Sequence, residues 1–354
     1  MTHWDLLIDK TNLTRSEMAP APALGIADLK DGEVLLAVER FALTANNVTY
    51  GAMGDAFGYW RFFPAPEGMG RIPVWGFATV EASKAEGIEQ GLRLFGYLPM
   101  SSHFVARLVR TRGGLVDAAE HRAELPPTYN QYAEAPADAS DDHRALLRPL
   151  FMTSWLIDDF LSDQKDFGAQ TVILTSASSK TALGLAWALH RRGLKVVGLT
   201  SPGNTAFLQG LGLFDQVLTY DDAGSLTASG PAVLVDFAGN RAVIGAIHKR
   251  LGDQLVHSAV VGATHWQAPP ALGEDSLPGP KPVLFFAPDQ IRKRAKEWGA
   301  EALDTRFRAA MGAFIADNAW LTLETAQGPE GLQTVWSKVV SGEARPDVGY
   351  IVAL

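Results

Sequence analysis

Between residues 171 and 287 the chain alternates short apolar runs with helical patterns, and this alternation constrains the fold more than any other feature. Strand-like runs are predicted at Thr171–Ala177, Lys195–Ser201, Gln216–Tyr220, Ala232–Phe237, Val256–Val261 and Pro282–Ala287. Helical patterns lie at Thr181–Arg192, Thr205–Leu211, Arg241–Leu251 and Gln290–Asp317. Runs such as AVLVDF are apolar almost throughout, which is typical of strands covered by helices on both faces. The alternation therefore predicts a doubly wound parallel sheet of the Rossmann type.

The rest of the chain has a different texture. Residues 1–125 carry short apolar runs separated by Gly, Pro and Asn, which predicts a mostly β domain. Pro126–Asp142 is rich in Pro, Ala and acidic residues and is predicted to be a connection, with a helix following over 145–163. After Asn318 short runs return. We therefore predict an α/β protein with a β-rich domain of residues 1–130, rejoined by 318–354, and a dinucleotide-binding domain of residues 131–317.

Composition excludes several function classes. The 354 residues carry a formal net charge of -8, which argues against binding to nucleic acid or to an anionic membrane. The chain has no cysteine, so it has neither disulfides nor thiolate zinc ligands. The N-terminal sequence MTHWDLLIDK does not have the pattern of a signal peptide, and no apolar run reaches membrane-spanning length. A cytoplasmic enzyme is the simplest expectation.

The stretch TVILTSASSKTALGL is a strand, a short polar turn and an apolar helix, which is where a dinucleotide fold binds phosphate. The helix N-terminus offers backbone N–H groups and a positive dipole end. Hydroxyl and ammonium donors follow the strand at Ser176, Ser178, Ser179, Lys180 and Thr181. Two other interpretations stay open: a P-loop, although Leu174 stands where its first glycine belongs, and an ordinary turn capped by serine.

The end of the next strand bears on which nucleotide would bind. A dinucleotide fold specific for NAD has an acidic residue there, which holds the ribose 2′-hydroxyl. This chain reads GLTSPGN, with Thr200 and Ser201 and no acid. The pattern favours NADP over NAD, although Pro202 and Gly203 would also make a simple turn.

Taken together, these segments resemble the medium-chain dehydrogenase/reductase superfamily, on its zinc-independent quinone-oxidoreductase and enoyl-reductase side. The similar segments span most of the chain: ERFALTANNVTYGAMGD, RIPVWGFATVEAS, EGIEQGLRLFGYLPMSSHFV, RPLFMTSWLIDDF, and the dinucleotide core from VILTSASSK to VLTYDD. The resemblance implies a GroES-like β-rich domain beside the Rossmann domain. It also implies a homodimer and an NADP cofactor.

The resemblance assigns roles to individual residues. It implies that Asn46 reaches the nicotinamide, that Thr153 contacts the cofactor, and that Asn204 replaces the basic residue that often binds the 2′-phosphate, with Lys180 compensating. Tyr220, Asp236 and Gly262 complete the cofactor set, although Asp236 could instead cap the following helix. The chain departs from the glycine fingerprint, which reads SASSKTA at 176–182, and the superfamily's cysteine zinc ligands have no counterpart.

Hydride transfer also needs a donor that stabilises charge on a carbonyl oxygen. Candidates in the first domain are Asn46, Tyr50, Tyr59, Arg61 and Tyr97. Tyr50 is favoured because it lies in the Asn46 segment, but a tyrosine packed in the core is the commoner arrangement. Arg61 would bind an acidic substrate group or, alternatively, a surface carboxylate. The aromatic residues of 57–63 could equally form a substrate pocket, core or dimer contact.

The eight histidines show no paired spacing on a helix, so no metal site is expected, and His265 is expected to be a surface loop residue. We therefore predict an NADP-dependent, zinc-independent oxidoreductase that reduces an activated C=C or C=O of a small, largely apolar molecule. The alternative is a non-catalytic NADP-binding redox sensor or scaffold of the same fold.

Overall fold

The computed structural model describes residues 3–261 and 277–354, and it divides the chain into two compact units. The first unit contains residues 1–146 and 322–354, and the second contains residues 147–321. None of the described helices is long and apolar enough to cross a membrane.

The first unit is built mainly from β-strands. Its strands are β1 (Trp4–Asp9), β2 (Ser16–Pro20), β3 (Val34–Leu43), β4 (Met69–Gly70), β5 (Pro73–Ser83), β6 (Arg93–Pro99), β7 (His103–Ala106), β8 (Leu108–Thr111), β9 (Gly114–Asp117), β10 (Gln131–Glu134), β17 (Thr322–Gln327) and β18 (Val348–Ala353). Its helices are α1 (Ala45–Ala52) and α8 (Gly328–Val340), and α2 (Asp141–Asp163) begins here and ends in the second unit.

Two sheets organise the first unit. A three-stranded sheet has the order β2-β1-β4, and a larger sheet has the order β17-β18-β3-β5-β6-β10-β9-β8, with β7 also paired to β3. The C-terminal strand β18 pairs antiparallel with β3, for example Ile351 with Ala42. On α8 the side chain of Trp336 is fully buried, and its Nε1 donates a hydrogen bond to the carbonyl of Leu13 at 3.1 Å. The C-terminal segment is thus part of the core of this unit.

The second unit is a parallel sheet flanked by helices. Its strands are β11 (Thr171–Leu174), β12 (Lys195–Thr200), β13 (Gln216–Thr219), β14 (Ala232–Asp236), β15 (Leu255–Val260) and β16 (Val283–Leu284). Its helices are α3 (Lys180–Arg191), α4 (Thr205–Gly210), α5 (Arg241–Leu251), α6 (Ala287–Trp298) and α7 (Ala300–Ala316). The described strands are all parallel, in the order β13-β12-β11-β14-β15-β16. All five residues of β14 are buried, as its unbroken apolar run predicts.

The predicted fold class, a β-rich part with a doubly wound parallel sheet, is confirmed, and four local predictions need correction. The single helix predicted over 290–317 is two helices, because Gly299 has φ 86° and leaves the helical region. The predicted connection at 126–142 contains β10, whose Tyr132 is 2% exposed. Helices α1 and α8 lie in regions where we predicted only short β runs.

Candidate functional site

The sheet of the second unit brings the predicted cofactor residues to one edge. Its strand order reverses between β11 and β14, because β12 and β13 lie on one side of β11 while β14, β15 and β16 lie on the other. In doubly wound sheets, ligands bind outside the carboxyl ends of the strands at such a reversal. The segments that follow β11, β12, β13 and β14 meet at this edge and include nearly all the predicted cofactor residues.

The serine turn (residues 175–179) connects β11 to α3 without a glycine. Ser176 has φ 47°, in the left-handed region where glycine is normally found, so a serine makes the bend that the glycine fingerprint would make. Ser179 is the N-cap of α3, and its side chain accepts a hydrogen bond from the backbone N–H of Ala182 at 3.2 Å. The turn therefore ends in a well-formed helix N-terminus.

A neutral hydrogen-bond group joins this turn to the end of β12. The Ser178 hydroxyl accepts hydrogen bonds from Thr200 Oγ1 at 3.0 Å and from Asn204 Nδ2 at 3.1 Å. Thr200 is buried, whereas Ser178 and Asn204 are half-buried. Three predicted polar residues are thus brought together, and no carboxylate takes part in these bonds. Ser201, next along the chain, is exposed.

Tyr220 lies against the same turn from the end of β13. Burial raises the pKa of the Tyr220 hydroxyl, and hydrogen bonding with Ser176 partly offsets that rise. The phenol therefore stays protonated across the neutral range and remains a hydrogen-bond donor.

Lys180 and Thr181 are the first two residues of α3, and both are half-buried. A cation at a helix N-terminus is disfavoured by the helix dipole, since that end already carries partial positive charge. A bound anion would reverse this cost. Gly262 and His265 lie outside the described residues.

Asp236, at the end of β14, is part of an internal network. It is 1% exposed and accepts a hydrogen bond from Thr175 Oγ1, and it also accepts from the backbone N–H of Gly239 at 2.9 Å. Burial raises the pKa of Asp236, and these hydrogen bonds lower it in part. The suggestion that Asp236 caps the next helix is wrong, because Asn240 is the N-cap of α5 and accepts from Ala242 N at 3.0 Å.

Helix α2 supports α3 through a residue that the sequence analysis missed. The predicted Thr153 donates to the carbonyl of Pro149 on its own helix, at 3.4 Å. Its neighbour Ser154, which is fully buried, donates instead to the carbonyl of Thr181 at 2.6 Å. A Cβ added to Gly184 would lie 2.7 Å from Ser154 Oγ, so this glycine permits the close approach of the two helices. A glycine within an apolar helix and a serine in an apolar run were the signals available in the sequence.

In the first unit, four tyrosines form one group, the tyrosine cluster (Tyr50, Tyr59, Tyr97 and Tyr129). The ring centroids of Tyr50 and Tyr59 are 4.6 Å apart, and those of Tyr97 and Tyr129 are 4.8 Å apart. Trp75 borders the cluster and donates from Nε1 to the Tyr50 hydroxyl at 3.4 Å. The sequence analysis proposed Tyr50, Tyr59 and Tyr97 as separate candidates and missed Tyr129 and Trp75, which strand pairing and a short helical turn bring to them.

The hydroxyl groups of the cluster are poor acids. Burial raises the pKa of Tyr50 and Tyr97, and the neighbouring phenols raise it further because their anions would repel one another. Tyr97 is 0% exposed, and interaction of its hydroxyl with that of Tyr50 adds to the rise in its pKa.

Asn46 and Tyr50 lie four residues apart on α1 and so share one face of the helix. Hydrogen bonding from Asn46 and Trp75 lowers the pKa of Tyr50 in part. The adjacent Asn47 has a structural role. It is buried, accepts from Thr44 N at 2.8 Å and donates to the carbonyl of Pro73 at 2.9 Å.

The sequence analysis offered Arg61 as a possible substrate-binding residue, but Arg61 does not belong to the tyrosine cluster. Its side chain is 53% exposed and forms an ion pair with the exposed Glu124 at 3.1 Å, which is the surface alternative. The aromatic residues around it divide between core and surface: Trp60, Phe62 and Phe63 are buried, whereas Phe57 is exposed. Arg61 is therefore not part of the catalytic set proposed below.

A cavity of about 180 Å³ lies elsewhere in the second unit. It is lined by Phe160, His257, Ala259, Val283, Leu284, Phe285, Phe286, Asp289 and Gln290. None of these residues belongs to the predicted cofactor set.

Several solved structures have a similar fold. The chain is 15% identical to CurA from Vibrio vulnificus in complex with NADPH, with a TM-score of 0.67 over 99% of this chain and 98% of that one. It is 14% identical to a putative NADPH:quinone reductase from Mesorhizobium loti, with a TM-score of 0.64 over 100% and 99% of the two chains. For the yhdH oxidoreductase from Salmonella enterica in complex with NADP the identity is 14%, the TM-score 0.56 and the coverage 99% of both chains.

These similarities confirm the predicted fold, a β-rich part and a doubly wound parallel sheet. A sequence search of curated proteins finds no match. One family model, described as "Protein of unknown function (DUF2855)", matches residues 41–345. The chain is a member of the DUF2855 family.

Proposed function

We propose that the protein is an NADPH-dependent, zinc-independent oxidoreductase that transfers hydride to an activated C=C or C=O of a small, largely apolar substrate. The observation that supports this most is the serine turn. It leads into a helix N-terminus at the reversal point of a parallel sheet, with Lys180 at the first position of α3. Helix N-termini at such points are suited to binding phosphate. The printed descriptions of the structural neighbours, which include NADPH and NADP complexes, agree with this proposal.

The residues present fit NADP. In our proposal Ser176, Ser178, Ser179, Lys180 and Thr181 bind the pyrophosphate, with Thr153 and Tyr220 around the rest of the cofactor. Asp236 keeps a structural role, because its carboxylate accepts hydrogen bonds from Thr175 and Gly239. Asn204 and Ser201 face the adenosine 2′-phosphate. The segment from Thr200 to Thr205 carries no acid, so nothing in it repels that phosphate. When bound, the cofactor supplies the hydride.

We assign substrate polarisation to the tyrosine cluster and Asn46. Hydroxyl groups that remain protonated, set among aromatic rings, stabilise negative charge as it develops on a substrate oxygen. Tyr50 is the favoured donor because Trp75 and Asn46 orient its hydroxyl. The absence of cysteine agrees with chemistry that uses no thiolate-bound zinc.

The test of this function is turnover. NADPH oxidation is measured with a panel of quinones, enones and aldehydes, for the wild type and for Tyr50→Phe. Loss of one oxyanion donor typically lowers kcat by about 100-fold or more, and we expect that result with little change in Tm. If NADPH binds but no substrate on the panel is reduced, the redox-sensor alternative replaces the enzyme. A large drop in Tm for Tyr50→Phe would show that the Tyr50 hydroxyl stabilises the core and would remove Tyr50 from the catalytic set.

We also propose that the protein is a homodimer through β16. Val283 and Leu284, on this edge strand, are 55% and 58% exposed. An exposed apolar strand at a sheet edge is a surface that proteins usually cover. Light scattering should give the mass of a dimer, and Leu284→Glu should give that of a monomer. A monomeric wild type would contradict this assignment.

A further inference from the structure

Three side chains outside both sites converge in the first unit: His3, Glu81 and His103. One ring nitrogen of each histidine and one carboxylate oxygen lie within 4.8 Å of one another. His103 Nε2 is 2.8 Å from Glu81 Oε2, and the two imidazole rings are stacked with centroids 3.7 Å apart. His3 is buried, and the side chains of His103 and Glu81 are 16% and 48% exposed, so the group opens to solvent on the glutamate side.

Strand pairing explains why these residues meet. His103 is the first residue of β7 and pairs with Ala37 of β3. Glu81 belongs to β5, on the other side of β3, at a β-bulge where Leu35 pairs with Ala82 and Leu36 pairs with Val80. Glu81 is the extra residue of that bulge, and a bulge redirects the side chain it carries.

His3 immediately precedes β1, which belongs to the other sheet. Trp4 and Ser102 hold the two segments together, since Trp4 N donates to Ser102 Oγ and Ser102 N donates to the carbonyl of Trp4, at 3.0 and 2.9 Å. The three side chains thus link the two sheets of the unit.

The Nδ1 of each histidine is engaged on the far side of its ring. On the near side His103 Nε2 donates to the Glu81 carboxylate, so a bound metal ion would replace that proton. His3 Nδ1 lies 3.0 Å from the carbonyl of Pro22 and 3.5 Å from the backbone nitrogen of Leu24, so Nε2 is the nitrogen that we assign to the ligand. His103 Nδ1 lies 3.0 Å from Ser102 Oγ. Metal-binding histidines typically have their second nitrogen held in this way by a carbonyl or a hydroxyl.

We propose that His3, Glu81 and His103 bind a divalent transition-metal ion, with zinc as the reference ion. Two imidazoles and one carboxylate form a ligand set that zinc accepts, with a fourth position left for water. Ligand atoms about 2.1 Å from a tetrahedral ion lie roughly 3.4 Å apart. No pair in the group is separated by more than 4.8 Å, and His103 Nε2 and Glu81 Oε2, at 2.8 Å, have to move slightly apart. The two ring planes lie 12° from parallel, so in our proposal the His103 ring turns when the ion binds.

The ion would act as a cross-link between strands, and it takes no part in the proposed reduction. The sequence analysis expected no metal site because it sought histidines spaced along a helix. These ligands come instead from two strands and from the residue that precedes β1, and their convergence depends on sheet pairing and a bulge.

The experiment is calorimetric titration of chelator-treated protein with zinc chloride, combined with thermal unfolding. We expect one saturable equivalent per chain and a rise in Tm with zinc. Binding should weaken at least tenfold in His103→Gln and in Glu81→Gln, and the rise in Tm should be lost. Glu81→Gln is the variant that we expect to fold as the wild type does, because the Glu81 side chain is half exposed and glutamine has the same size.

The matched control is His190→Gln, an exposed histidine at the end of α3, which should bind zinc as the wild type does. NADPH binding should be the same with and without zinc, so failure here leaves the proposed reductase function intact. No saturable heat, or equal affinity in wild type, His103→Gln and Glu81→Gln, would overturn the site.

Discussion

Two turns at the same edge of the second unit's sheet both lead from a strand into a helix, yet they differ in charge. The turn after β14 contains Asp236, whose carboxylate accepts from the backbone N–H groups of Ala238 and Gly239. The serine turn after β11 offers hydroxyl groups and leads into Lys180. One turn supplies its own anion, and the other presents neutral donors and a cation.

The difference identifies which helix end can accept a phosphate. At α5, a second anion would be repelled by a buried carboxylate that already occupies the nearby N–H groups. At α3, a bound phosphate would complement both the helix dipole and Lys180. Similar backbone geometry therefore serves structure in one turn and, in our proposal, binding in the other.

The largest expected change in unfolding free energy follows from removing the buried carboxylate of Asp236. Asp236→Asn replaces a carboxylate that accepts from Thr175 and from two backbone N–H groups. Removing charge-assisted hydrogen bonds of this kind costs about 3 kcal/mol of unfolding free energy, measurable by urea denaturation. Unchanged stability combined with weaker NADPH binding would instead make Asp236 a cofactor residue and remove the contrast between the turns.

The pH dependence of the same variant sharpens this test. Because burial raises the pKa of Asp236, the folded protein binds this proton more tightly than the unfolded chain does. This contribution to stability is present below the ordinary pKa of aspartate and is lost as the pH rises through the raised value. The wild type should therefore gain stability relative to Asp236→Asn as the pH falls through that window. An equal response of both proteins would contradict the raised pKa.

Close packing behind the serine turn gives an intermediate effect. In Gly184→Ala the new methyl group would lie 2.7 Å from Ser154 Oγ and 3.0 Å from the Phe151 ring, which should cost about 2 kcal/mol. Gly245→Ala on α5 is the matched control. Its nearest neighbour would be Leu277 at 3.9 Å, so alanine should stabilise that helix by up to about 1 kcal/mol. Chemical denaturation should show shifts of opposite sign; shifts of the same sign would refute the packing argument.

The smallest effect concerns the bend in the serine turn. Ser176→Gly and Ser176→Ala both remove the hydroxyl, but only alanine keeps a Cβ in the left-handed region. The glycine variant should be more stable than the alanine variant by about 1 kcal/mol, as measured by Tm. Equal Tm values would show that the turn relaxes and that Ser176 carries no strain.

The sequence predicted the second unit better than the first. Unbroken apolar strands and amphipathic helices are local signals, so β14 and α5 lie within a residue of their predicted bounds. Ser178 and Asn204 follow neighbouring parallel strands, and this explains the hydrogen bond between them, which the sequence analysis did not predict. The tyrosine cluster could not be predicted as a unit, because Tyr50, Tyr97 and Tyr129 come from a helix, a strand and a short turn that only sheet pairing brings together.

Arg61 and Ser154 show the other limits of the sequence. Nothing local distinguishes an arginine that faces a substrate from one that pairs with Glu124 on the surface. Thr153 and Ser154 are neighbours on α2 but point to different sides of the helix. Only the Ser154 hydroxyl reaches α3, where it donates to the carbonyl of Thr181, and the sequence does not show which of the two faces α3.

The central claim is that hydroxyl groups and one lysine at the start of α3 bind the phosphates of NADPH in place of a glycine-rich backbone. Calorimetric titration with NADPH and NADH tests it directly, on the wild type, on Lys180→Ala and on Lys195→Ala, an exposed lysine at the opposite end of β12. We expect NADPH to bind at least tenfold more tightly than NADH, and Lys180→Ala alone to weaken NADPH by about 1–3 kcal/mol. An absence of NADPH binding, or equal affinity in Lys180→Ala and the wild type, would contradict the claim.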